Sequence, residues 1–233
     1  MSKILVVMPC YNAASTVVEA IFSVFNQTYK SFQLVCCDDA STDNTLEVLK
    51  SLNVSLLSNP HNIGTGNTVN RVIQENQDFE FITWVSADNV LKDTFLEKHI
   101  EKLLGGYAIS YSNWALLGDG RPYAPKQDLL HLKETLYLGP SFMFRKALFD
   151  VAGPFHSLAG EDHYFAVQCS IANAKFGYIP EYLVEYRKHD NSVSGRIRNG
   201  EDIKTCNLEA LKKAALITKS NGTNSYDQSK KSS

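Results

Sequence analysis

The sequence predicts an α/β domain with a mostly parallel central sheet and helices on both faces. Three features point to it. Short apolar runs recur through the first half, helix-period segments separate them, and polar or acidic residues follow directly where three of the runs stop. Consecutive strands joined through helices run parallel, and a parallel sheet needs cover on both faces. Ligands of such sheets bind beyond the carboxyl ends of the strands, which selects Pro9 to Asn12, Asp38 with Asp39, and Ser86 to Asn89.

The elements follow in order. Ile4 to Met8 reads as a buried strand that Pro9-Cys-Tyr-Asn stops. A helix begins after Ser15 and carries Val18, Ile21, Phe22 and Phe25 on one face. Phe32 to Cys37 is the second strand, running into Asp38 and Asp39. Ser41 or Thr42 caps the next helix, with Asp43 favourable in its first turn. Val54 to Leu57 is a third strand, Asn67 to Asn76 a third helix, and Phe81 to Val85 a fourth strand ending in Ser86-Ala-Asp-Asn. A helix from Asp93 to Leu104 precedes a strand from Tyr107 to about Trp114. The second half is less regular. Gly118-Asp-Gly-Arg-Pro is a loop, Gly139 to Arg145 enters a strand, and Lys146 to Ala152 is a short helix closed by Gly153 and Pro154. Gly160-Glu-Asp-His leads into a helix to about Ala174, and Gly177 to Tyr186 is a late strand. Asp202 to Lys219 has helical periodicity, with Leu208, Leu211 and Ala215 on one face. The remaining tail, residues 220–233, is rich in Ser, Asn and Lys, a composition that disfavours a packed core.

Composition narrows the class. Hydrophobic residues make up 44% and charged residues 21%, as in an ordinary globular protein. The formal net charge of −2 supplies no global basic field for nucleic acid or an anionic membrane. The 5 cysteines form no CxxC pair and no zinc pattern, so Cys10, Cys36 and Cys37 read as small core residues in a reducing compartment. The start is too short in apolar residues for a signal peptide, and no segment reaches the ~20 that a membrane helix needs. A cytoplasmic protein is expected, with peripheral contact to a membrane left open.

The chemistry comes from what the strand ends carry. Neither GxGxxG nor GxxxxGK[ST] occurs, and the first turn is Pro9-Cys-Tyr-Asn-Ala, which disfavours a dinucleotide dehydrogenase or a P-loop NTPase. Acidic residues face the expected crevice instead. Carboxylates cannot hold a pyrophosphate directly, but a divalent cation bridges the two. Asp88, after the fourth strand, suits such a metal. Asp39, after the second, suits a hydrogen bond to a base or ribose, or caps the helix that follows. Asp38 is expected to turn inward and tie its loop.

The chain resembles the family 2 glycosyltransferases with the GT-A fold. The markers are Val7-Met-Pro-Cys-Tyr-Asn, Ser23-Val-Phe-Asn-Gln-Thr-Tyr and Val35-Cys-Cys-Asp-Asp-Ala-Ser-Thr-Asp-Asn-Thr. Asn62-Ile-Gly, Trp84-Val-Ser-Ala-Asp-Asn, Gly160-Glu-Asp, and Tyr186-Arg-Lys-His with Ser192-Val-Ser follow in the same order. The resemblance runs from about Ile4 to Ser194. It implies a nucleotide-diphospho-sugar donor, UDP-linked by family habit, and a glycan, lipid-linked or protein-linked acceptor. It places Pro9, Tyr11, Asn12, Asp39, Asn67, Arg71 and Ala87 at the nucleotide. Asp88 and His189 would hold a divalent cation, Mn²⁺ or Mg²⁺. Glu161 and Asp162 form the catalytic acidic pair, with Asp162 as the base of an inverting transfer. Residues 1–200 then form one GT-A domain, with a donor half of about 1–115 and an acceptor half of about 116–200, before a helix over 201–219. Ser86 stands where the family's metal motif has its first aspartate, and Asn89 where a second acid is common. Val69 stands where many members carry arginine, with Arg71 two positions along. Those departures keep a second reading open, a GT-A-like binding module that has lost turnover. A nucleotidyltransferase is disfavoured, because Pro9 to Ser15 has neither Lys nor Gly.

Overall fold

The computed structural model describes residues 3–118, 120, 122–123, 138–190, 192, 195–196 and 199–201. The expected helix over 201–219 and the tail lie outside these residues, apart from residue 201 itself. So do parts of the Gly118 loop and of the Ser192 motif.

The parallel half comes first. β1 (Ile4–Cys10) is flanked by β2 (Phe32–Asp38) on one side and β4 (Phe81–Trp84) on the other, and β3 (Ser55–Ser58) lies outside β2. All these pairings are parallel. Ile4 to Met8 are fully buried, as expected of a strand covered on both faces. Beyond β4 the sheet becomes mixed. β8 (Phe142–Arg145) runs antiparallel to both β4 and β6 (Ile109–Leu116). β9 (Phe176–Tyr186) pairs parallel with β6, while β5 (Val90–Leu91) and β7 (Pro122–Tyr123) add short antiparallel ladders. Pro180 sits where the β6–β9 register slips, since Ser112 faces Ile179 but Asn113 faces Tyr182. A proline cannot donate to a ladder, so it falls at a bulge.

Helices α1 (Val17–Phe25), α2 (Thr45–Ser51) and α4 (Phe95–Leu104) cover one face, where Ile21, Leu49 and Ile100 pack against Ile4, Val6 and Met8. Helices α3 (Thr65–Glu75), α5 (Lys146–Ala152) and α6 (Glu161–Ile171) cover the other, around Val72, Phe144, Phe149 and Phe165. Among the described residues no helix is long and apolar enough to cross a membrane.

Three local expectations need correction. Pro9 does not end β1, which continues to Cys10 in register with Asp38. The Val7 carbonyl accepts the Val85 N–H on the β4 side, and pairing with β4 stops there. Pro9, two residues on, faces that same vacated edge, so its missing donor breaks no bond. On the other edge the Cys10 carbonyl accepts the Asp39 N–H at 2.8 Å. The inner face of α1 is Val17, Ala20, Ile21 and Val24, while Val18, Phe22 and Phe25 are exposed at 37%, 54% and 46%. Ser23 and Gln27 decide this. The Ser23 hydroxyl accepts the Leu91 N–H, and the Gln27 amide bonds the Lys92 carbonyl and the Leu96 N–H. Finally, α2 starts at Thr45 rather than after Ser41 or Thr42. Asp43 anchors its start by accepting the Thr45 N–H at 2.9 Å and the Ala14 N–H at 3.2 Å. Burial pushes the Asp43 carboxyl up, but the hydrogen bond from the Thr45 hydroxyl, together with these N–H groups, outweighs it and holds it below its ordinary value.

Candidate active site

The first cluster joins the ends of β1 and β2. Asn12 adopts a left-handed backbone (φ 50°). It donates its N–H to the Ser41 hydroxyl at 3.0 Å and accepts the Thr42 N–H on Oδ1 at 2.8 Å. Ser41 and Thr42 therefore staple two loops together, and Tyr11 beside them stands out, 46% exposed. Pro9 lies just below, half-buried. Asp38 turns inward as expected, accepting the Ser41 N–H at 3.2 Å.

Asp39 reaches sideways to α3. Its Oδ1 accepts Asn59 Nδ2 at 2.7 Å and the Ile63 N–H at 2.9 Å, and its Oδ2 accepts the Gly64 N–H at 2.9 Å. The helix it touches is α3, not α2, so the capping alternative does not hold. An anion before a helix N-terminus is electrostatically favoured. Arg71 braces the same loop from outside, donating to the Ser58 carbonyl at 2.8 Å and Asn59 Oδ1 at 2.6 Å while pairing with Glu75. Asn67 donates to the Ile63 carbonyl at 2.9 Å.

The second cluster follows β4. The buried Ala87 accepts the Thr16 hydroxyl on its carbonyl at 2.9 Å. Asp88 Oδ2 lies 2.9 Å from His189 Nε2, and Asp88 Oδ1 is buried with no hydrogen-bond partner. Arg187 comes from the end of β9. Its Nε donates to the Asp88 carbonyl at 3.0 Å, its backbone N–H donates to Asn89 Oδ1 at 3.1 Å, and its guanidinium pairs with Glu19 of α1. Glu185, one strand position before Tyr186, pairs with Lys92 instead.

Among the described residues no group of three or more His, Cys, Asp or Glu side chains is arranged to hold a metal. The Asp88–His189 pair still fits one kind of cation site. Mg²⁺-type ions are commonly held by one or two carboxylates together with substrate phosphates, and Asp88 Oδ1 is a buried acceptor with no other partner.

The third cluster is the acidic pair at the start of α6, entered through Gly160 at φ 89°. Burial, then the charge of Asp162, push Glu161 up to about 7. Burial also raises Asp162, against the neighbouring His163. The pair is brought to the strand ends by α3. A Cβ on Gly66 would lie 1.9 Å from the His156 carbonyl oxygen and 3.5 Å from Glu161 Cβ, so only glycine permits the approach. Asn70 clamps the same contact, donating to the Phe155 carbonyl at 2.8 Å and accepting the Phe155 N–H at 2.9 Å. The N-terminus of α3 therefore touches Asp39 on one side and the approach to Glu161 on the other.

Several of these residues carry no sequence signal. Asn70 reads as polar helix surface, and its partner lies 85 positions away. Glu19 and Arg187 are 168 positions apart. Gly64 is flagged by the Asn62-Ile-Gly motif and Arg187 by Tyr186-Arg-Lys-His, but neither motif names the partner.

The fold aligns with solved glycosyltransferases. A Staphylococcus aureus TarS structure in complex with UDP-GlcNAc matches with a TM-score of 0.75 at 19% identity, covering 97% of this chain and 68% of that one. The mannosyltransferase PcManGT of Pyrobaculum calidifontis, in complex with GDP-Man and Mn²⁺, matches with a TM-score of 0.66 at 15% identity, covering 97% of this chain and 77% of that one. The architecture is the GT-A fold. The chain belongs to glycosyl transferase family 2, whose model matches residues 5–158. Relatives include the poly(ribitol-phosphate) beta-glucosyltransferase of Bacillus spizizenii, 26% identical over 79% of this chain. Another is the Escherichia coli UDP-Glc:alpha-D-GlcNAc-diphosphoundecaprenol beta-1,3-glucosyltransferase WfgD, 30% identical over 52% of it. The chain spans 32% of the length of the first and 51% of the second.

Proposed function

We propose that this protein transfers a sugar from a UDP-sugar to an acceptor hydroxyl with inversion, aided by a divalent cation. The observation that supports the reading is that Asp39 and Glu161 both lie against the first turn of α3, with the Asp88–His189 pair following β4 in the same sheet.

Asp39 supports a uracil base. A carboxylate offers about four lone-pair sites, and three are used by Asn59, Ile63 and Gly64. One acceptor position on Oδ2 matches the single N–H of a uracil or thymine imide better than the paired donors of guanine. Tyr11, exposed beside it, offers a ring for stacking. Pro9, Asn12, Asn67, Arg71 and Ala87 act mainly by holding the loops that form this wall.

Asp88 and His189 would hold the cation together with the donor's phosphates. The ion's contribution is to neutralise the charge that gathers on the departing diphosphate. Asp162 takes the proton of the acceptor hydroxyl as that oxygen attacks the anomeric carbon, and its raised affinity for protons makes it a stronger base than an ordinary aspartate. Glu161 restrains that charge from beside it. A lipid-linked sugar is the acceptor class to assay first, because one relative's name specifies such an acceptor.

A thermal-shift series with UDP, GDP and dTDP, with and without Mn²⁺, tests the donor side, since a ligand that binds only the folded chain raises its melting temperature. UDP with Mn²⁺ is expected to stabilise most, and Asp88→Ala to remove the Mn²⁺-dependent part. No stabilisation by any nucleoside diphosphate would overturn the reading. Ser86 and Asn89, standing where acids are common in the family, favour one alternative, a donor-binding module without turnover. It would bind UDP yet neither transfer nor hydrolyse the donor.

A further inference from the structure

The geometry points to Arg187, held by Glu19, as the positioning residue of the metal loop, and to Asn89 as a strut of the same brace rather than a second metal ligand. The inference rests on the assignment of Asp88 and His189 to a cation.

Arg187 makes three contacts in three directions. The guanidinium Nε grips the Asp88 carbonyl at 3.0 Å, the backbone N–H bonds Asn89 Oδ1 at 3.1 Å, and the far end of the guanidinium pairs with Glu19 on α1. Asn89 is 1% exposed, and its Oδ1 is taken up by the Arg187 N–H. Thr16, one turn before Glu19, holds the Ala87 carbonyl at 2.9 Å. The backbone from Ala87 to Asn89 is thus fixed from α1 and from the end of β9, which also delivers His189. A carboxylate with one oxygen on His189 and one unpartnered oxygen has its direction set by this backbone. In a site with two protein ligands, orientation matters more than in one with four, because nothing else corrects an error in aim.

The arms of the brace differ in exposure. Arg187 is 30% exposed and Glu19 57%, so their pair contributes little to folding stability. That separates positioning from structure. The test uses the full chain and the thermal shift produced by UDP as Mn²⁺ is titrated, beside the melting temperature without ligand and the kcat and KM for donor hydrolysis or transfer. Arg187→Lys keeps the charge but loses the planar fork. It is expected to raise the Mn²⁺ concentration for half-maximal effect about tenfold or more, the range typical of residues that orient metal ligands. Glu19→Gln is expected to shift it in the same direction, with the ligand-free melting temperature unchanged. Asn89→Asp is expected not to tighten Mn²⁺ binding, although it adds an acid where the family motif has one. An unchanged Mn²⁺ dependence in both Arg187→Lys and Glu19→Gln, or a several-fold tightening in Asn89→Asp, would overturn the brace while leaving Asp88 in place. Loss of Mn²⁺ dependence from the unsubstituted protein would instead remove the metal assignment, and the brace with it.

Discussion

At the residue scale the proposed catalytic pair, Glu161 and Asp162, sets two opposite pH trends through its protonation. Glu161 ordinarily loses its proton near 4.5 and in the fold near 7. Between those values the folded chain binds the extra proton, so this group's contribution to stability is full below about 4.5 and is lost as pH rises towards about 7. Glu161→Gln removes the titration. Its melting temperature relative to the parent should therefore climb across that window, and a difference that stays flat with pH would contradict the burial of this carboxyl. Catalysis is expected to run the other way, because Asp162 as the proposed base would work only when deprotonated. The acidic limb of kcat/KM should lie above the range of an ordinary aspartate. Asp162→Asn should lower kcat about 10²- to 10⁴-fold, the usual worth of a general base, with UDP affinity changed only a few-fold. Full activity in that variant would exclude Asp162 as the base. His99, which no motif marks, lies fully buried against the Ser110 hydroxyl at 2.8 Å, and burial pushes it down to about 3.

Helices and loops raise a separate question, which side of each element faces inward. Their positions along the chain are legible because glycine, proline and polar clusters punctuate it. Lys146–Ala152 ends where Gly153 takes a left-handed φ of 96°, as its sequence suggests. Facing is legible only where one stripe is apolar. In α1 apolar residues surround the axis, and the choice falls to Ser23 and Gln27, whose partners lie some 65 residues downstream. The strand-end rule finds Asp39 and Asp88 in the same way it would in any parallel sheet. It cannot find Asn70 or Arg187, whose meaning depends on partners folded in from far along the chain. The contact of α3 with the loop before α6 offers a direct test. Gly66→Ala should destabilise the protein by about 1–3 kcal/mol, typical of overpacking against an unyielding neighbour, because the new methyl meets the His156 backbone. Urea unfolding measures it, and a neutral outcome would mean that the loop moves aside freely. Donor hydrolysis should fall as well, since the same loop sets down Glu161.

For the molecule as a whole, the sheet does not divide where the chain does. β8, from residues 142–145, lies between β4 and β6, so a later segment completes the interior of the earlier one. Its insertion buries Phe142 and Phe144 on α3's side of the sheet, and the Thr83 hydroxyl of β4 bonds the Phe142 carbonyl at 2.6 Å. A chain of residues 1–115 should fail to fold cooperatively, leaving β4 as an open apolar edge. The full chain should unfold in one transition. A sharp, independent melt of the shorter piece would show that the parallel half is self-sufficient. The sequence signals a parallel sheet because its first strands alternate with helices, but it cannot signal that a strand from the far end will be inserted beside them.

The four described cysteines are all buried, three of them in adjacent strands at the heart of the sheet. The Cys10 thiol is held up by its hydrogen bond to Cys36 and by burial, burial pushes Cys37 up to about 12, and Cys169 is raised by burial alone. Thiols so shielded do not form the thiolate that reacts with maleimides at neutral pH. With Cys206→Ser as background, the folded protein becomes a blank for site-selective labelling. A cysteine at the exposed Phe22 would then take one fluorophore on the outer side of α1, giving an optical handle on donor binding that leaves Asp39, Asp88 and Asp162 untouched.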